Sequence, residues 1–172
     1  AKKGGVMAMQ FKASEKDYLV DVAIVDDKDD IFMATAEGSG LRTNLGKMRP
    51  QGRAASGIIG MTLEGQDYMS GLDVVKGNKS FLLVVSESGY GKRVKYDEFA
   101  SKGRGGKGMA FFKSTEKTGK AVAIRTVTED AEVIVTTLSG MVLRSEVKQI
   151  ALQGRTASGV RVVDIHGGDK VA

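Results

Sequence analysis

Gln51-Gly-Arg-Ala-Ala-Ser-Gly57, Lys102-Gly-Arg-Gly-Gly-Lys-Gly108 and Gln153-Gly-Arg-Thr-Ala-Ser-Gly159 are three versions of one seven-residue box. Their arginines Arg53, Arg104 and Arg155 are two steps of 51 residues apart, and the closing glycines Gly57, Gly108 and Gly159 keep the same step. Two upstream columns share it: Gly38, Gly89, Gly140, and Arg42, Arg93, Arg144. Four columns in register without slippage mark an internal repeat, the signature of a propeller, solenoid or array. The 172 residues therefore divide into repeats at about 6–57, 58–108 and 109–159, with a partial repeat at 160–172.

Within a repeat the apolar pattern predicts short strands and no helical stripe longer than two turns. Ile31–Ala36, Phe81–Ser86 and Val133–Leu138 are β-rich runs that end just before the glycine column. Glu37-Gly38, Ser88-Gly89 and Ser139-Gly140 then read as tight hairpin turns, since glycine reaches positive φ at little steric cost. The second strand of each hairpin carries the upstream arginine. Further strands are expected at Ile58–Leu63, Met109–Phe112 and Val160–Ile165 after the closing glycines, at Val22–Val25, Leu72–Val75 and Ala121–Val127, and at the N-terminal Val6–Phe11. Four strands per repeat is the arithmetic of a propeller blade. The Trp-Asp signature of WD repeats is excluded by the lack of tryptophan, and the aromatic signature of kelch repeats is missing. An all-β, propeller-like chain of four-stranded blades with its own basic turn motif remains.

Composition narrows the chemistry. Apolar residues are 41% and charged residues 27%, as in ordinary globular chains, with 23 Gly, one Pro (Pro50) and no Cys. Without cysteine there are no disulfides, thiolate metal sites or cysteine nucleophiles, which fits a reducing cytoplasm. No apolar run approaches the length of a membrane span and no secretory signal is present. The first residue is Ala1 rather than Met, as in a processed product or a piece cut from something longer.

The net charge of +5 is unevenly spread. Windows 41–57 and 92–108 each carry +4 and window 143–159 carries +2, leaving −5 on the rest of the chain. Stacked repeats place equivalent windows along one rim, the geometry that a long polyanion needs. The candidate contacts are Arg42, Lys47, Arg49 and Arg53, then Lys92, Arg93, Lys95, Lys102, Arg104 and Lys107, then Arg144, Lys148 and Arg155. Gly105, Gly106 and Gly108 would let the backbone approach a phosphate closely, while the arginines and lysines supply the charge.

Other motifs have plainer readings. Gly103–Gly108 lacks the Ser or Thr and the following helix that a nucleotide P-loop requires. His166 is the only histidine, so any Ser-His-Asp chemistry would run through it; it reads as a surface residue in a Gly/Asp-rich tail. Asp26-Asp27-Lys28-Asp29-Asp30 lacks the ordered spacing and terminal Glu of a calcium loop and reads as a solvated connection. The eight methionines, scattered over strands, read as core filler. No metal site, cofactor site or catalytic residue is expected in this chain.

Gly89-Tyr-Gly-Lys-Arg93, Tyr96-Asp-Glu-Phe99 and Arg104-Gly-Gly-Lys-Gly108 together resemble the C-terminal DNA-wrapping domain of the DNA gyrase A-subunit family. Ser139-Gly-Met-Val-Leu-Arg144 followed by Gly154-Arg-Thr-Ala-Ser-Gly-Val160 is similar to the last complete blade of that domain. The resemblance covers essentially the whole chain. It implies a β-pinwheel, a propeller-like ring whose blades exchange strands with their neighbours; the family usually has six blades, so this chain resembles the C-terminal half. The family's gyrase box reads Gln-Arg-Arg-Gly-Gly-Lys-Gly. Lys102–Gly108 keeps its last five positions, whereas the boxes starting at Gln51 and Gln153 keep Gln, Arg and the final Gly but lose the Gly-Gly-Lys centre. The corresponding topoisomerase IV protein has degenerate boxes throughout and is the nearest competitor, and a protein-binding β-propeller with a basic rim is a further alternative. The Arg104–Gly108 match favours gyrase.

The resemblance further implies duplex DNA as partner, bound and wrapped with positive handedness and without sequence specificity. It implies a heterotetramer with the gyrase B-subunit and the rest of the A-subunit, in the bacterial cytoplasm at the nucleoid, whose strand passage introduces negative supercoils. ATP, Mg, the cleavage tyrosine and the ATPase belong by this resemblance to other parts of the parent topoisomerase.

Overall fold

A computed structural model of the chain describes residues 4–11, 17–77 and 79–172. Hairpins are its basic unit. In chain order the strands are β1 (Asp30–Thr35), β2 (Ser39–Asn44), β3 (Met69–Val75), β4 (Phe81–Ser86), β5 (Tyr90–Lys95), the short β6 (Met109–Ala110), β7 (Ala121–Val127), β8 (Glu132–Thr136), β9 (Val142–Glu146) and the short β10 (Val160–Arg161). A single 3-10 turn follows the second strand of each hairpin, at Leu45–Lys47, Tyr96–Glu98 and Val147–Gln149. The described residues contain no α-helix, so the chain is all-β as the repeat pattern predicts.

The hairpin turns show why the glycine column exists. Gly38, Gly89 and Gly140 have φ of 92°, 79° and 89°, and their N–H groups donate to the carbonyls of Thr35, Ser86 and Thr137 at 3.1, 3.0 and 2.9 Å. The hydroxyls of the same three residues accept from the backbone N–H just after each glycine, at Ser39, Tyr90 and Met141. A left-handed glycine closing a tight turn gives the strands their right-handed twist. The turn chemistry thus repeats with the sequence period.

Hairpins then borrow strands from along the chain. The first sheet has the order β3-β1-β2-β6 and the second β10-β5-β4-β7, all antiparallel. Each of the first two hairpins is flanked on one side by the strand preceding the next hairpin and on the other by the strand after the following repeat's box. The third hairpin, β8-β9, has only a bridge from Thr137 to Val171 on its outer side. A bulge recurs at the same place in both full sheets, between Ala34 and Thr35 and between Val85 and Ser86.

Strand exchange also explains which expected strands are missing. Val6–Phe11, Val22–Val25 and Ile58–Leu63 adopt no ladder pairing, although their sequences match β6, β3 and their repeats. The hairpin each would pair with lies one period or more before β1, and no such hairpin is among these 172 residues. Apolar alternation creates a capacity to pair; a ladder also needs an edge.

The cores lie between successive blades. Phe32 of β1 is fully buried and meets Phe99, Phe111 and Tyr96 edge-on, with ring centroids 4.8, 5.7 and 5.9 Å away. One period on, Leu83, Ile150, Val162 and Val147 pack in the second cluster. An aromatic core is thus repeated as an aliphatic one. A third cluster gathers Ile31, Met33, Leu41 and Met61, with Met48 and Met69 against it. Those methionines are core filler as expected, but Met7, Met9 and Met141 are exposed, because no neighbouring blade covers them.

Candidate nucleic-acid interface

The boxes are laid across the hairpins of the preceding repeat. Lys102 N–H donates to Arg42 O at 2.9 Å and Gly105 N–H to Gly60 O at 2.6 Å, while Thr62 returns two bonds, to Gly106 O and Gly105 O. One period later Arg93 N–H donates to Ala151 O and Gln153 N–H to Arg93 O, at 2.8 and 2.9 Å. The closing glycines are fixed by this crossing: a Cβ on Gly108 would stand 2.5 Å from Gly40 O, and one on Gly159 would stand 2.7 Å from Gly91 O. Gly108 therefore serves chain packing rather than the close approach to phosphate expected of it. Gly105 and Gly106 face open space and keep that capacity.

Box arginines tie the boxes together in series. Arg104 Nη1 donates to Ile59 O at 3.1 Å, two residues beyond the closing Gly57 of the first box. Arg155 Nη1 donates to Ala110 O at 3.1 Å, two residues beyond the closing Gly108 of the second. Each box thus begins where the preceding one ends. Each of these arginines keeps its remaining guanidinium donors for another acceptor.

The upstream arginine column does something different. Arg42 Nε pairs with Asp30 at 2.7 Å and its Nη1 reaches Tyr96 O and Phe99 O of the next repeat, at 3.2 and 3.5 Å. Arg93 is buried; it donates to Ile150 O at 2.7 Å and Lys148 O at 3.3 Å, pairs with Glu129 at 3.1 Å, and covers the Phe81 ring at 5.2 Å. These two side chains staple a hairpin to the following 3-10 turn. Arg144 has no following turn within the chain; it is exposed and pairs with Glu132 across the hairpin. Arg93 is accordingly removed from the candidate DNA contacts, and Arg42, half-buried and committed on both sides, goes with it.

Lys92 is removed as well. It is fully buried, and its Nζ donates to Gly154 O and Arg155 O, both at 2.7 Å. Burial pulls its pKa down to about 8, against the opposing pull of the Glu98 carboxylate and with a small push from Arg155. The sequence held a signal for this. The same column is Leu41 one period earlier and Leu143 one period later.

Lys47, Arg49, Arg53, Lys95, Lys102, Arg104, Lys107, Arg144 and Lys148 are exposed, and Arg155 is half-buried. Lys107 is held by Glu64, whose hydrogen bond raises the lysine above its ordinary pKa, and Lys148 pairs with Glu146 at 3.3 Å. Both contacts are solvent-exposed, so they are weak and open to exchange for phosphate. His166 is exposed beside Asp164 at 3.2 Å, with no serine in a triad arrangement among the described residues. The acidic run forms a turn, with Asp29 N–H on Asp26 O, and Asp30 is spent on Arg42. Among the described residues no group of three or more His, Cys, Asp or Glu side chains is placed to hold a metal ion, and no helix is long and apolar enough to cross a membrane.

A family model described as DNA gyrase C-terminal domain, beta-propeller, matches the chain in four successive segments, residues 1–26, 29–76, 80–128 and 131–172. The chain belongs to this family. It is 38% identical over 171 residues to the DNA gyrase A-subunit of Staphylococcus epidermidis, covering 99% of this chain and 19% of that protein. The DNA gyrase A-subunit of Aminobacterium colombiense is 37% identical over 158 residues, 92% of this chain and 19% of that protein. The chain thus spans about a fifth of the length of these relatives. Among solved structures, a DNA gyrase A C-terminal domain superposes with a TM-score of 0.90 at 29% identity, over 97% of this chain and 56% of that one. The C-terminal domain of a DNA topoisomerase IV gives a TM-score of 0.85 at 21% identity, over 91% and 48% of the two chains, and shares the fold. The gyrase-family domain here therefore has the β-pinwheel architecture that its sequence resemblance implied.

Proposed function

We propose that this gyrase-family domain binds duplex DNA without sequence specificity and wraps it along the line of boxes. The observation that carries this reading is the serial arrangement of the boxes. Arg104 and Arg155 each reach back to the chain just past the preceding box, so successive boxes are tied one to the next. The contact set is Lys47, Arg49 and Arg53 in the first basic window, Lys95, Lys102, Arg104 and Lys107 in the second, and Arg144, Lys148 and Arg155 in the third. Gly105 and Gly106 leave room for a phosphate at the second box. The described residues offer no recognition helix to read a groove, so affinity comes from phosphate contacts and any preference from DNA deformability.

In the parent enzyme, wrapping with positive handedness would present a neighbouring DNA segment to the gate, and ATP-driven strand passage would leave negative supercoils. ATP and Mg would act in other parts of a heterotetramer built from gyrase A and gyrase B proteins, in the bacterial cytoplasm and at the nucleoid. This chain contributes the binding surface. The test is fluorescence anisotropy with mixed-sequence duplex over a salt series. Binding should weaken with salt, each neutralised phosphate adding about −0.9 to the log–log slope. Arg104→Ala with Lys107→Ala should flatten the slope by between one and two such contacts. Absence of binding by the unaltered chain at low salt would favour a basic rim that recognises acidic proteins.

A further inference from the structure

Lys92 occupies a position that the fold asks to be apolar. Leu41 fills the equivalent site one period earlier and is itself buried, whereas the Lys92 ammonium is taken wholly out of water. A buried charge is unfavourable unless its hydrogen bonds are made. The side chain adds nothing to the core that leucine does not, so its value lies in what the ammonium holds.

It holds the third box. Gly154 O and Arg155 O both accept from Lys92 Nζ at 2.7 Å. The intervening Arg155 N–H donates to Glu98 Oε2 at 3.0 Å, and Gln153 N–H is taken by Arg93 O at 2.9 Å. Successive peptide groups of one short turn are thus fixed from β5 and from the 3-10 turn after it. The second box is built the other way. Its column holds Leu41, which donates nothing, and its backbone is held instead by Gly60 O, which accepts from Gly105 N–H, and by Thr62, which donates to Gly105 O and Gly106 O. The third box has Thr156 and Ala157 where the second has its Gly-Gly pair.

We propose that Lys92 is a positioning residue for DNA binding, whose buried ammonium fixes the Gly154–Arg155 turn so that Arg155 meets phosphate from a pre-shaped loop. The proposal rests on the DNA-binding reading above. It makes the two boxes different kinds of grip: the second is set by backbone bonds to Gly60 and by Thr62, and the third by a buried ammonium.

The test compares Lys92→Met and Lys92→Gln with the unaltered 172-residue chain. Three readouts are needed: anisotropy on a mixed-sequence duplex of about 40 base pairs over a salt series, hydrogen exchange at the Arg155 and Thr156 amides, and thermal melting. Lys92→Met should weaken binding at least about threefold, remove about 0.9 from the salt slope and speed local exchange, without lowering the melting temperature. It should cause no further loss in an Arg155→Ala background. Lys92→Gln, whose amide still donates, should recover part of the affinity. Unchanged affinity in Lys92→Met, or a fully additive loss with Arg155→Ala, overturns the proposal. Should Lys92→Met melt early, Lys92→Leu, the residue of this column in the flanking repeats, gives the same readouts. If the unaltered chain binds no duplex, the DNA reading fails separately. Exchange then decides the clamp alone: equal rates in both proteins overturn it, and faster rates in Lys92→Met sustain it.

Discussion

A Cβ on Gly38 would lie 2.2 Å from the Phe112 carbonyl oxygen and one on Gly89 would lie 2.4 Å from that of Val163, whereas Gly140 faces open space. All three have positive φ, so alanine strains the backbone at each, but only the first two also force apart a backbone contact between repeats. Gly38→Ala should cost about 3 kcal/mol or more and Gly140→Ala about 1 kcal/mol, as read by urea unfolding. Equal costs would mean that the interleaved strands yield freely. Lys92 offers a second measurement at this scale. Its pKa is about 8 when folded and near 10.5 when exposed. Between those values the unfolded chain binds more protons, so stability rises as pH rises from about 8 to about 10.5, by on the order of 3 kcal/mol. Lys92→Leu should be the more stable protein at pH about 7, and the difference should shrink through that window. Parallel stability profiles would show that Lys92 is not buried as a cation.

At the scale of elements, the arginine column separates structural from available charge. Arg93 joins β5 to the next 3-10 turn through two carbonyls, one carboxylate and an aromatic face. Arg93→Ala should therefore cost about 2–4 kcal/mol, while Arg144→Ala, exposed on an unstapled hairpin, should stay within about 0.5 kcal/mol. Denaturant midpoints of the two variants check this, and a large loss in Arg144→Ala would contradict it. The pairing was partly legible in the sequence. Asp30 and Glu132 stand at one fixed offset before Arg42 and Arg144, as diagonal neighbours across a tight hairpin do. The middle repeat hid the rule, because Phe81 replaces the acid and Arg93 turns to Glu129 instead. Hairpins and boxes were legible because glycine and local alternation encode them directly. The unpaired segments Val22–Val25 and Ile58–Leu63 were not, because their pairing depends on an edge supplied from a whole period away.

For the whole molecule the decisive feature is that the boxes follow one another, Arg104 and Arg155 each bonded to the chain just past the box before. In the proposed wrapping mode, propeller-like blades about a common axis would set that series on a curve, and a straight duplex would engage all three boxes only by bending. Smooth bending over a few tens of base pairs costs on the order of 1–6 kcal/mol, which must come out of the phosphate contacts. A short single-stranded gap removes most of this cost while leaving the flanking phosphates in place. A duplex of about 40 base pairs with a central two-nucleotide gap should therefore bind about tenfold more tightly than its intact counterpart, the factor that about 1.4 kcal/mol supplies. The gain should shrink when Arg53 or Arg155 is replaced by alanine, since a duplex held by fewer boxes has less reason to bend. Competition anisotropy on matched gapped and intact duplexes reads the ratio. A ratio of one would mean that the DNA lies across the boxes without following them, and that wrapping needs blades beyond these residues.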